Sequence, residues 1–223
     1  MKLKTPRRVI VFNNKFPLVG PIVWVLSVQY FLFQLVATLS WDPPYDWKNH
    51  LISDLGNTEC GQYAGRYVCS PDNFIMNGSF IMLGFTMALG SLLIYQSFKR
   101  NQASLVGFSM MALAGFGTFL VGLFPENTIS ELHAIGAFLA LFVGNLSLVV
   151  LALALHRVRP SFRIYTFLSG TVSTVAFILF VTDNNLGLGP GGMERVVSYP
   201  QTLWLILFGI YMTRSRYRAI KQN

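Results

Sequence analysis

Leu123-Phe124-Pro125-Glu126-Asn127-Thr128-Ile129-Ser130-Glu131-Leu132-His133 sets two carboxylates and a histidine between two long apolar runs. Next to runs of bilayer-crossing length, each of these polar residues is expensive and needs a reason, either chemistry or helix capping. The flanking runs are Ala103–Phe124 and Ile129–Leu155, and four more follow the same pattern: Pro17–Leu39, Phe74–Phe98, Phe162–Thr182 and Val196–Met212. Each approaches the ~20 residues that a hydrocarbon core demands. Of the 223 residues 53% are hydrophobic and only 12% charged, too few charges to cover a soluble protein of this length. The expected fold class is all-α: a polytopic membrane protein of six transmembrane helices, with residues 1–223 as one transmembrane domain.

The net charge of +8 is segregated along the chain. With six spans in sequence order, Lys2, Lys4, Arg7, Arg8, Lys15, Lys99, Arg100, Arg157, Arg159, Arg163, Arg214, Arg216, Arg218 and Lys221 gather on one side. The other side holds Lys48, Arg66 and Arg195 with every acid in the chain: Asp42, Asp46, Asp54, Glu59, Asp72, Glu126, Glu131, Asp183 and Glu194. The basic side is therefore expected to be cytoplasmic and to carry both termini, in the cell membrane. Its partners are anionic lipid headgroups, not nucleic acid. The sequence leaves the oligomeric state open. A different number of spans would scramble this separation.

The apolar part of the first run is too long for a signal-peptide core, so it reads as an uncleaved helix whose Gln29 and Gln34 face other helices. The outer loop 40–71 is the longest connection. Trp41, Tyr45 and Trp47 read as headgroup-level anchors there. Asn49 to Gly56 reads as a short amphipathic helix capped by Asn49, with Leu51, Ile52 and Leu55 opposite His50, Ser53 and Asp54. Cys60 and Cys69 share this loop, where an oxidising space favours a disulfide over two free thiols. Recurrent glycines in the second, third and fourth runs predict close helix seams, and Ser169 to Thr174 predict interhelical hydrogen bonds. Leu186 to Gly192 reads as a flexible loop, because a glycine-rich phosphate loop needs a strand before it.

Ile52-Ser53-Asp54-Leu55-Gly56, Ser70-Pro71 followed by Met76-Asn77-Gly78-Ser79-Phe80, Gly122-Leu123-Phe124-Pro125-Glu126, His133 and Glu194-Arg195 occur in that order. Together they resemble the uncharacterised membrane-protein family known as domain of unknown function 998 (DUF998). The resemblance implies a six-helix membrane fold and no particular activity. Thr58–Cys69 reads as a local elaboration, so the disulfide is not part of what the resemblance implies.

These motifs lie at the outer helix ends and carry His50, Ser53, Asp54, Asn77, Glu126, His133, Glu194 and Arg195. Thr128 and Glu131 fit a capping box, which leaves Glu126 without that duty, and His133 lies roughly 7 Å down the helix, where it should face protein or a wet cavity. The leading functional reading is an enzyme on a lipid or other amphipathic substrate at the outer leaflet. Its catalytic candidates are Glu126, His133, His50, Ser53 and Asp54, and Arg195, Glu194 and Asn77 would bind substrate. Asp54 or Glu126 is a candidate partner of Arg195, which reads equally as a snorkelling anchor at a helix end. No metal site is assigned, although His50, His133 and one of Asp54 or Glu126 match a weak zinc pattern. The alternatives are a non-enzymatic membrane factor with a structural ion-pair network, and a proton-coupled carrier, against which stands the lack of charge at mid-helix.

Overall fold

The computed structural model describes residues 18–96, 101–156 and 158–220, with side chains to 215. The basic N-terminal segment, the Lys99-Arg100 turn, Arg157 and Lys221 lie outside the described residues, as do the side chains of Arg216 and Arg218.

Six helices are long and apolar enough to cross a membrane: α1 (Val19–Leu39), α2 (Asn73–Tyr95), α3 (Gln102–Leu123), α4 (Ser130–Ala154), α5 (Pro160–Val181) and α6, whose apolar part is Gly189–Ser215 within a helix that runs to Ile220. This is a multi-pass membrane architecture. Each helix packs on the next in sequence, and α6 closes the ring against α1. Local chemistry sets several boundaries. Asn101 and Ser104 form a reciprocal capping box at the start of α3, and Pro160 opens α5, where its missing N–H costs nothing.

In lipid, packing rather than water exclusion holds helices together, so backbones must approach closely. A β-carbon on Gly115 would stand 2.6 Å from the Gly84 carbonyl, and one on Gly136 would stand 2.7 Å from that of Gly117. The α2–α3 and α3–α4 seams therefore depend on glycine. Buried polar side chains tie α1 into the ring. Gln29 donates to the Ser79 carbonyl at 3.1 Å and accepts from the Ser79 hydroxyl at 3.0 Å, and Gln34 accepts from the Tyr199 hydroxyl at 2.7 Å. An aromatic cluster of Trp24, Phe108, Trp204 and Phe208 fills the half of the bundle away from the long loop.

Proline at position 200 removes the N–H that would bond the Val196 carbonyl. That carbonyl takes the Ser173 hydroxyl of α5 instead, at 3.1 Å, while Asn145 of α4 donates to the Val197 carbonyl at 2.9 Å. Neighbouring helices thus satisfy the backbone groups that a proline leaves open inside a membrane. Midway along α4, Phe138–Val143 widens into a π-helical segment.

The loop between α1 and α2 departs from expectation in two ways. It contains a two-stranded antiparallel hairpin, β1 (Gly61–Tyr63) and β2 (Arg66–Val68), so the fold is mostly rather than wholly helical. Ala64 and Gly65, both at positive φ, form its two-residue turn, and the Cys60–Cys69 disulfide closes its base. Second, Asn49 to Gly56 is not one amphipathic helix. Helical geometry is limited to a turn ending at His50 and a 3-10 turn at Ser53–Gly56. Between them, the Leu51 and Ile52 N–H groups are captured by the carboxylates of Asp54 and Glu194, so no continuous helix can pass through.

Candidate functional site

The loop between α1 and α2 folds over one end of the bundle, and two anchors hold it there. The first is Arg195 on α6. Its Nη1 donates to the carbonyls of Gly191 at 2.7 Å, His50 at 3.1 Å and Trp47 at 3.2 Å, and its Nη2 donates to the Tyr45 hydroxyl at 2.6 Å. The guanidinium also lies 4.7 Å from the Trp47 ring centre and 5.4 Å from that of Tyr45. Tyr45 in turn donates to the carbonyl of Leu51, 2.6 Å away, or of His50, 2.9 Å away. Burial holds the Tyr45 phenol well above its ordinary pKa, so it stays a donor. The Lys48 carbonyl accepts from the first-turn N–H groups of Gly191 and Gly192, which is why the glycine-rich Gly189–Gly192 is helix and not free loop. Asp54 and Glu126, the candidate partners of Arg195, do not contact it. Nη1 and Nη2 both bond the loop, so the guanidinium anchors it, while the buried Nε has no hydrogen-bond partner among the described residues.

The second anchor is ionic. Arg66, on the hairpin, forms a bidentate pair with the fully buried Asp54 carboxylate, through Nη2 to Oδ1 and Nε to Oδ2, the latter at 2.7 Å. Asp54 Oδ2 also accepts from the Leu51 N–H at 2.6 Å. Glu126, only 7% exposed, stands beside this pair. Burial, and then the neighbouring Asp54 charge, push its pKa from 4.5 up to about 9, so it is a carboxylic acid at neutral pH. The Asp54 carboxylate and the Ser53 hydroxyl are its side-chain neighbours, and Asn57 donates to its Oε1 at 3.4 Å. Its backbone carbonyl accepts from the Tyr63 hydroxyl at 2.7 Å. Thr58 and Asn127 pair reciprocally beside it, at 3.1 and 2.9 Å. Segment 58–69 thus supplies the counter-ion of Asp54.

Further in, a cavity of ≈ 60 Å³ runs from this end towards the middle of the bundle. Ser53, Glu194 and His133 line its polar end. Phe80, Leu83, Val121 and Ala140 line its apolar walls, with Gln201 and Met87 at the deep end. Glu194 is fixed by accepting from the Ile52 N–H. His133 Nδ1 lies 2.8 Å from the Phe124 carbonyl, so in the neutral ring Nδ1 carries the proton and Nε2 the lone pair.

Of the expected site residues, the structure gathers Ser53, Asp54 and Glu126 in one network, and Ser53, His133 and Glu194 around the cavity. His50 and Asn77 lie elsewhere. His50 Nδ1 accepts from the Asp46 N–H at 3.0 Å, and Asn77 donates to the Gly56 carbonyl at 2.8 Å, fastening the loop to α2. Among the described residues no group of three or more His, Cys, Asp or Glu side chains converges as a metal site, so the zinc pattern is not assembled. The capping box at the start of α4 is also absent. The Thr128 hydroxyl turns back to the Pro125 carbonyl at 2.7 Å, Ile129 stands at the cap position, and Glu131 is exposed. The sequence reading missed Arg66, Tyr45 and Asn57, whose roles depend on loop geometry. It also missed Gln201, which a polar stripe at helical spacing through Glu194, Ser198, Gln201 and Thr202 marks out.

The model of the family described as "Protein of unknown function (DUF998)" matches residues 24–211, and the chain belongs to that family. No curated protein and no solved structure matches it.

Proposed function

We propose that this DUF998 protein is a membrane-embedded enzyme acting on a lipid or other amphipathic substrate at the outer leaflet, with the loop-covered end of the bundle facing outward. The cavity carries the reading. A polar end at Ser53, Glu194 and His133 adjoins apolar walls, which matches the two halves of an amphiphile. His133 is the proposed general acid–base, through the Nε2 lone pair left by its bond to Phe124, with the Ser53 hydroxyl, which also lines the cavity, as a polar contact for substrate. The charge segregation in the sequence supports cytoplasmic termini and residence in the cell membrane.

A second reading, a non-enzymatic factor with a structural network, draws support from Arg195 and Asp54, whose bonding groups are largely engaged by the protein itself. The two readings separate at His133. Wild type and His133→Ala, matched for thermal stability, are reconstituted in liposomes of extracted membrane lipid, and the lipid species are followed by mass spectrometry. A species consumed with wild type and spared with His133→Ala is the expected result. An unchanged lipid profile with wild type would refute the enzymatic reading.

A further inference from the structure

On α6, Glu194, Ser198, Gln201 and Thr202 fall at i, i+4, i+7 and i+8, one face of a helix, and all four line the cavity. Seven residues of helix separate Glu194 from Gln201, an axial distance of about 10 Å. Thr118 and Thr202 spend their hydroxyl protons on their own helices, on the Ala114 carbonyl at 3.0 Å and the Ser198 carbonyl at 3.4 Å. Ser198 and Gln201 are different: the buried Ser198 Oγ has no hydrogen-bond partner among the described residues, and Gln201 lies deeper. It is 5% exposed, its Oε1 has no hydrogen-bond partner, and its Nε2 meets only the Met87 sulfur, 3.9 Å away. Whichever way the amide is turned, one strong hydrogen-bonding atom is left open. The amide lies against Gly144, where a β-carbon would stand 2.8 Å from Nε2 and displace the side chain. The deep end is lined by no charged residue, so a charged ligand group has no partner there.

We infer that the deep end of the cavity is a subsite for an uncharged hydroxyl group of the substrate, held by Gln201 about 10 Å from the polar end. A hydroxyl both donates and accepts, so it satisfies either orientation of the amide. The preferred ligand is then polar at both ends and apolar between: a reacting group at Ser53 and His133, a chain along Leu83, Val121 and Ala140, and a hydroxyl at Gln201. The inference rests on the reading of the cavity as an amphiphile site.

The test uses 1,8-octanediol, whose two oxygens span roughly this distance, with n-octane as control. Binding is titrated through thermal stabilisation of the detergent-purified full chain, as wild type, Gln201→Leu and Ala140→Phe, with Gln201→Met replacing Gln201→Leu should that variant not fold. The expected result is a several-fold to about tenfold weaker Kd for the diol in Gln201→Leu, with n-octane unaffected and both ligands lost in Ala140→Phe. If both ligands bind wild type, fail with Ala140→Phe and are indifferent to Gln201→Leu, the subsite is overturned while the amphiphile cavity stands. If neither binds wild type, both fall.

Discussion

Replacing Glu126 by glutamine keeps the shape of its protonated side chain and removes the ionisation. In the folded protein this carboxyl holds its proton up to about pH 9, because burial and the Asp54 charge oppose its anion. In the unfolded chain it releases the proton near 4.5. A folded-state pKa above the unfolded one favours folding most below about pH 4.5, with the contribution lost as pH rises and levelling off above about 9. Each pH unit inside that window costs up to about 1.4 kcal/mol, so wild type should lose on the order of 1–3 kcal/mol between pH 5 and pH 7 through the coupled Asp54–Glu126 pair. Asp54, Arg66 and Tyr63 remain in both proteins, so the difference isolates Glu126. Thermal unfolding in detergent at pH 5, 7 and 9 reads it: wild type should lose stability across the series, and Glu126→Gln should lose markedly less. Equal slopes would mean that Glu126 is already ionised in the folded protein at neutral pH, and the account of the Asp54–Glu126 pair would be wrong.

Two further outcomes follow from the anchoring contacts. Arg66→Met strands the Asp54 carboxylate in a site where it is fully buried, and should cost about 3 kcal/mol or more. Adding Asp54→Asn should recover part of that loss in the same melting assay, and a double variant no better than the single one would contradict the pairing. Ser173→Ala leaves the Val196 carbonyl without its donor and should cost about 1–2 kcal/mol. In a Pro200→Ala background the restored backbone N–H serves that carbonyl, so the same substitution should cost less. An identical loss in both backgrounds would place the role of Ser173 elsewhere.

The membrane spans are legible in the sequence because length and apolarity alone define them, and α2 to α5 begin and end within a few residues of the apolar runs. The start of α6 is not legible locally. Gly189–Gly192 has the composition of a loop, and it is helical because a carbonyl from a loop far away in sequence, that of Lys48, meets its N–H groups. The same dependence on distant partners broke the expected helix at Asn49–Gly56, where Glu194 reaches the Ile52 N–H. Adjacency in sequence correctly separated Glu194 from Arg195, and their partners turned out to be a backbone N–H and a set of carbonyls. Tyr45 and Trp47, read as interface anchors, also pack around the Arg195 guanidinium. Glu126, singled out because it had no capping duty, and His133, singled out for its depth in the helix, occupy the network and the cavity, whereas the capping box that removed Glu131 from consideration does not form.

The central claim, that the cavity under this loop takes an amphiphile, is tested most directly by photo-crosslinking with a diazirine-bearing fatty alcohol in reconstituted membranes, with the labelled residues mapped by mass spectrometry. Labelling of Leu83, Met87 and Leu141, which line the cavity, and its loss in Ala140→Phe at unchanged thermal stability, is the predicted result. Labelling confined to exposed apolar residues such as Phe85 and Leu92, identical in the two proteins, would contradict it.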